Sequence, residues 1–153
     1  MTFTLRPLES ADLEWLRILR TSENDNFFTK LDSTPEQQLA WFKSRSYWDE
    51  RCVILDGETR VGYFSIESLK PDLPIFPCKK PVRYLNSLLV DPAHRGRGVI
   101  QAASMALRQE YSYVGYVREG NSASLRACAK LGLLDRGIYE HPEYGRMHIV
   151  WRG

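Results

Sequence analysis

Apolar and polar residues alternate over residues 2–6, the period of a strand with one buried face. From Leu13 the period changes: Leu13, Leu16, Ile18 and Leu19 follow helical spacing, and Ser10 or Asp12 suits the cap. The polar stretch SENDNFFTKLD reads as a loop carrying Phe27 and Phe28. Thr34 then caps, and Pro35 opens, a second helix with Leu39 and Phe42 on one face and Trp41 beside it. Two β-rich runs, 51–55 and 60–67, are joined by Asp56-Gly57-Glu58-Thr59, a hairpin signal. Residues 70–81 hold four prolines and no period, which predicts a loop. A strand over 82–90 ends in the apolar Leu88-Leu89-Val90, and residues 99–108 place Ile100, Ala103 and Leu107 on one helical face. A strand over 111–118 follows, then a helix over 121–131 stopped by Gly132. The last hairpin runs from Ile138 through 142–145 into 147–151.

The order is strand, two helices, three strands, helix, strand, helix, two strands. Helices interrupt the strands too seldom for a doubly wound sheet, so the pattern predicts a single α/β or α+β domain over residues 1–153. Composition agrees: 43% hydrophobic and 26% charged residues describe a globular chain. Lys and Arg number 21 against 19 Asp and Glu, which argues against an extended nucleic-acid or membrane footprint. His94-Arg95-Gly96-Arg97 could be an RNA patch, but no second basic cluster with interleaved aromatics supports it. The opening MTFTLRPLESADLEWL lacks the pattern of a signal peptide, and no run approaches the ~20 apolar residues of a membrane span. Cys52, Cys78 and Cys128 are odd in number and widely spaced. They predict neither a disulfide framework nor a metal site, and a reducing cytoplasm is expected.

The stretch VDPAHRGRGVIQ, residues 90–101, carries the candidate chemistry. Gly96 and Gly98 let backbone approach a ligand closely, and Arg95 and Arg97 can add charge-assisted contacts to a phosphate. An ordinary solvated turn before a helix has the same composition. A Walker loop fails on spacing, since Gly98 is followed by Val99 where it needs Lys. A dinucleotide fingerprint has Glu119 roughly where its ribose acid would lie, but Gln101 stands at its third glycine and the repeated βαβ pattern is lacking.

Arg95-Gly96-Arg97-Gly98, preceded by Val90-Asp91-Pro92, resembles the acetyl-CoA loop of the GCN5-related N-acetyltransferase (GNAT) superfamily, Arg/Gln-x-x-Gly-x-Gly/Ala. A second block agrees: Asn121-Ser122-Ala123-Ser124, followed by Lys130-Leu131-Gly132-Leu133, resembles the family's Asn-x-x-Ser helix ending in Lys-Leu-Gly-Phe. Ile100 departs from the family's Gly or Ala, and the segment from Gly98 to Asn121 is short, predicting a central helix cut by about a turn. The opening Leu5-Arg6-Pro7-Leu8 and the run Glu36–Phe42 are similar to the branch of ribosomal-protein N-terminal and amino-sugar N-acetyltransferases.

The resemblance implies a mixed, mostly antiparallel sheet splayed at its centre, with about four helices. It implies acetyl-CoA as co-substrate, no metal, and direct transfer in a ternary complex to an amino sugar, another small amine or a protein N-terminus. The partners expected are acetyl-CoA and an amine acceptor, with no nucleic acid, no membrane, and a homodimer as a possible assembly. Leu88, Leu89 and Val90 on the splayed strand, with Arg95, Gly96, Arg97, Gly98, Val99, Ile100, Asn121 and Ser124, would hold the cofactor. Cys128 stands where many members have the Tyr that protonates the leaving thiolate, and Tyr116 where some have a Glu. Proton removal then falls to water held by Asn86, Ser87, Glu67 and Tyr116. The acceptor is expected between the first two helices, the proline loop and the last hairpin, near Phe27, Phe28, Trp41, Trp48 and Tyr144, with Asp25, Asp32 and Glu67 attracting a cation. His148 could face the site, and His94 is expected in solvent. A non-catalytic acyl-CoA sensor or partner subunit with the same loop stays open as an alternative.

Overall fold

Every segment with strand period joins one mixed sheet of seven strands in the order β1-β2-β3-β4-β5-β7-β6. The computed structural model describes residues 2–22, 34–44, 49–69 and 73–153. Strands are β1 (Thr4–Pro7), β2 (Glu50–Asp56), β3 (Thr59–Glu67), β4 (Val82–Val90), β5 (Ser112–Arg118), β6 (Leu134–His141) and β7 (Gly145–Arg152). Helices are α1 (Leu13–Ser22), α2 (Pro35–Lys43), α3 (Val99–Ala102) and α4 (Ser122–Lys130). All neighbouring strands are antiparallel except β4 and β5.

Strand alternation assigns each residue to one of two faces. On one face Phe64, Ile66, Leu85, Tyr113, Val117 and Val150 pack under α3 and α4 through Val99, Ala102, Ala103, Cys128 and Leu131. On the other, Val53, Tyr63 and Leu89 receive α1 through Leu13, Leu16 and Leu19. Beside them on that face, Leu73 of the proline loop covers Tyr84, Val114, Met147, Ile149 and Trp151. Gly62 permits the close approach of α3, since a Cβ there would stand 2.9 Å from the Leu89 carbonyl and 3.0 Å from Val99.

Three local expectations are corrected. Residues 99–108 form only a four-residue helix, continued by a 3-10 turn at Ala103–Ala106 and extended chain at Leu107. Its early end is fixed from outside, because the Arg108 amide donates to the Tyr113 hydroxyl at 2.8 Å. Ile18 is 58% exposed, and on α2 the buried residue is Gln38, with Leu39 and Trp41 exposed. Trp41 instead lies under the Arg51 guanidinium, 3.9 Å from its ring centroid. Neither Ser10 nor Asp12 caps α1: both lie inside a 3-10 turn that precedes it. Thr34 and Pro35 do start α2, with the Thr34 hydroxyl accepting from the Gln37 amide.

Asp12 serves another purpose. Its carboxylate is fully buried and accepts from Arg6 (2.7 and 3.0 Å), Arg60 (2.8 Å) and the Glu9 amide (2.8 Å). It thereby ties β1, α1 and β3 together. Burial pushes this carboxyl up, but the Arg6 guanidinium, the Glu9 amide and Arg60 outweigh it and hold it at about 2. A depressed carboxyl contributes stability above its unfolded value, lost as pH falls toward the folded one. Asp12→Asn is therefore expected to cost about 2 kcal/mol at pH 7. In urea unfolding, the gap between wild type and variant should close between about pH 4 and pH 2. A gap that does not change with pH would show that the ion cluster adds nothing.

Candidate active site

The parallel pair β4 and β5 is matched only at its start, Val82–Tyr84 against Ser112–Val114. Beyond that point β5 continues with β7 and β4 continues with β3. A bulge at Ser65/Ile66 leaves Asn86 without a partner on β3 and bends β4 where the two strands part. From Leu85 to Val90 the β5-facing edge of β4 therefore carries no ladder bonds, and a slot opens through the sheet.

A cavity of about 690 Å³ fills this slot. Leu88, Leu89, Val90, Gly115, Tyr116 and Val117 form its walls. At its mouth lie Arg95, Gly96, Gly98, Val99 and Ile100. Gly96 and Gly98 both have φ of +79°, a conformation that favours glycine. Their amides make no backbone hydrogen bond among the described residues. Ile100 is half-buried, packing on the α3–α4 core while its exposed part borders the cavity. Because α3 has four residues, anion binding here would rest on loop amides and basic side chains more than on a helix dipole.

The opposite wall is α4. Asn121 caps it, accepting from the Ser124 amide at 3.2 Å, which leaves the Asn121 amide nitrogen for a ligand. Ser124, Cys128, Arg126 and Lys130 line the cavity from this helix. Burial raises the Cys128 thiol to about 11, opposed by a hydrogen bond with Ser124. The thiol is thus protonated at neutral pH. Tyr116 lines the slot too, but its hydroxyl donates to the Pro74 carbonyl. Its proton is committed there, so only its oxygen lone pairs can serve a ligand.

On the α1–α2 face a second cavity, of about 250 Å³, adjoins the first. Tyr63, Ser65 and Glu67 come from one face of β3, while Gln37, Gln38 and Trp41 come from α2. Arg20, Asn86, Ser87 and Leu89 border both cavities, so the two meet where β4 bends. The far end of the slot on this same face is aromatic, with Tyr84, Tyr116 and Tyr144.

The slot thus gathers most of the residues singled out above. Arg97 is not among its lining residues, and Glu67 belongs to the second cavity. His148 lies away from both, its Nδ1 3.0 Å from Asp135. His94 is not in solvent: it borders the cavity, its buried Nδ1 3.6 Å from Asp91 and without a hydrogen-bond partner among the described residues. Phe27, Phe28, Asp25, Asp32 and Trp48 lie outside the described residues. Sequence reasoning missed Arg20, Arg126 and Lys130. The last two were detectable, since Ala123, Arg126, Ala127 and Lys130 follow one another at the spacing of a single helical face. Among the described residues, no group of three His, Cys, Asp or Glu could hold a metal ion, and no helix is long and apolar enough to cross a membrane.

Several solved structures share this architecture. A spermidine N-acetyltransferase from Vibrio cholerae, in complex with CoA and spermine, aligns over 98% of this chain and 94% of its own, with 15% identity and a TM-score of 0.74. A domain from Methanocaldococcus jannaschii aligns over 99% of both chains, with 17% identity and a TM-score of 0.74. The putative acetyltransferase yncA from Salmonella typhimurium, with its cofactor acetyl-CoA, aligns over 99% of this chain and 94% of its own, with 17% identity and a TM-score of 0.71. No curated protein sequence matches the chain. The family model for the acetyltransferase (GNAT) domain matches residues 2–134, most of the chain. With its parted central strands and glycine-rich loop, this protein belongs to the GNAT acetyltransferase domain family.

Proposed function

We propose that the protein transfers an acetyl group from acetyl-CoA to a primary amine of a small molecule, directly, in a ternary complex. The observation that carries this reading is the slot between β4 and β5, bordered on one face by the glycine loop and α4 and on the other by a second, partly acidic cavity. The diphosphate of acetyl-CoA suits the loop amides of residues 95–99, with Arg95, Arg126 and Lys130 supplying positive charge nearby. Asn121 and Ser124 then face the arm that runs down the slot. Acetyl-CoA supplies the acyl group as a thioester, an activated carbonyl.

Along the unpaired edge of β4 the Leu88 and Val90 amides, which alternate with those paired to β3, suit the carbonyl oxygen as negative charge develops on it. The amine arrives protonated, since its ordinary pKa is ~10, and must lose a proton before attack. Glu67 attracts it as a cation, and Asn86 and Ser87 stand at the junction where a water could relay the proton. The amine nitrogen then bonds to the carbonyl carbon as the carbon–sulfur bond breaks. Nitrogen gives up one further proton and sulfur gains one. Cys128 is a weak donor for that second proton, because its raised thiol is a poorer acid than an ordinary one near ~8.5.

A cavity of about 250 Å³, with Glu67 on β3 and Arg20 where it meets the slot, has room for a compact amine, such as a polyamine or amino sugar, whose ammonium pairs with Glu67. The Vibrio cholerae structure, holding spermine, supports the polyamine class. The direct test is thiol release from acetyl-CoA with spermidine, putrescine, glucosamine and a peptide panel. Turnover with a small amine supports the reading. Tight binding of acetyl-CoA with turnover on no amine overturns it in favour of a sensor.

Two variants test the residue assignments. Gly98→Trp should raise the acetyl-CoA Kd at least tenfold by calorimetry while the melting temperature falls only slightly, since φ of +79° strains a side chain by roughly 1–2 kcal/mol. Unchanged affinity would move the diphosphate elsewhere. Cys128→Ala should lower kcat by less than about tenfold, as expected for an uphill proton donor. An unaltered kcat and pH–rate profile would remove Cys128 from the mechanism.

A further inference from the structure

The hairpin between β6 and β7 turns through Pro142, Glu143 and Tyr144, and a buried histidine organises it. His141, the last residue of β6, is 6% exposed. Its Nδ1 accepts from the amides of Glu143 (3.0 Å) and Tyr144 (3.1 Å). A ring nitrogen that accepts two N–H groups does so through its lone pair, so Nδ1 acts here as an acceptor. Asn and Asp side chains make the same bonds over their own turns. The imidazole adds a flat surface: its ring stacks on Tyr144 with centroids 4.5 Å apart and an interplanar angle of 22°. Tyr139 meets the same ring edge-on at 6.3 Å.

Tyr144 in turn lines the aromatic end of the slot, outside the second cavity but on the sheet face that also carries Glu67. It is thus within the path of an amine that extends from that cavity into the slot. A half-buried Tyr on a hairpin tip would ordinarily sample several rotamers. Here His141 contacts both its backbone and its ring. Building on the acetyltransferase reading above, we propose that His141 is a positioning residue for the acceptor. Its imidazole fixes Tyr144 as an aromatic wall over which the alkylammonium group of the amine is held before transfer. His141 is not among the lining residues of either cavity, so its effect on the acceptor is assigned to its hold on Tyr144.

The test uses the full chain and the best acceptor among spermidine, putrescine and glucosamine. His141→Leu, which cannot accept the two amides, should raise the acceptor KM roughly tenfold, with the acetyl-CoA Kd unchanged. Tyr144→Leu should raise it by a similar factor. The double variant should be no worse than Tyr144→Leu alone, because a residue acting through another contributes nothing once that other is gone. His141→Asn, which restores the acceptor for both amides, should recover most of the affinity. Additive effects in the double variant, or an unchanged KM in His141→Leu, overturn the assignment. If thermal melts show that His141→Leu does not fold, His141→Asn carries the test, and a KM as high as that of Tyr144→Leu overturns it. A wild type that binds acetyl-CoA but acetylates no amine overturns the acetyltransferase reading together with this one. Turnover in wild type with additive variants overturns only the role of His141.

Discussion

Parallel strands lying side by side normally stay paired, because each unmatched buried amide or carbonyl costs about 1–3 kcal/mol. In this sheet β4 and β5 give up that pairing after three residue pairs, and the rest of the molecule is arranged around the loss. Each strand keeps an antiparallel partner on its outer side, β3 for β4 and β7 for β5, so neither becomes a free ribbon. The bulge at Asn86 turns β4 away, and the α3–α4 core on one face with the α1 core on the other holds it there. The slot is thus a built opening with polar backbone on one edge. A ligand carrying hydrogen-bonding groups along an extended arm can supply the partners that β5 does not.

Much of this was legible in the sequence, for identifiable reasons. β4 runs over residues 82–90 as the apolar run implied, and the hairpin at Gly57 and the stop at Gly132 follow from glycines with φ of +61° and +82°. Such signals are local: a turn residue or a cap acts within a few positions. The misread parts depend on distant groups. The helix pattern of 99–108 ends at Ala106 because the Tyr113 hydroxyl claims the Arg108 amide, an event the helical period cannot encode. Asp12 looked like a cap from its position, yet Arg60, 48 residues on, makes it a buried ion.

The site divides in the same way. The loop glycines and the Asn121 cap were readable because close backbone approach needs particular residue types. Tyr116 and Cys128 were also found by position, but their chemistry was not. The Tyr116 proton is committed to Pro74 across the proline loop, and burial raises the Cys128 thiol. His141 gave no signal at all, since a histidine next to a Pro in a hairpin reads as a solvated turn residue. The two amides and the ring that it contacts meet it only after the turn has closed.

The balance of 21 basic and 19 acidic residues conceals a second kind of order, which is spatial. Arg95, Arg126 and Lys130 line the slot, and Glu67 borders the cavity on the other face, with Arg20 at the junction of the two. On the proposed reading the two substrates carry opposite charges, a diphosphate and an ammonium, and would pair with each other if they shared one open cleft. Entry from opposite faces prevents that, because the sheet and its packed side chains stand between the charges. Only the uncharged thioester needs to reach the opening, and only there must the amine give up its proton. The parting of β4 and β5 therefore does two things with one deformation. It frees backbone groups for the acyl carbonyl, and it provides a passage narrow enough for the reacting atoms to meet while their charges stay apart.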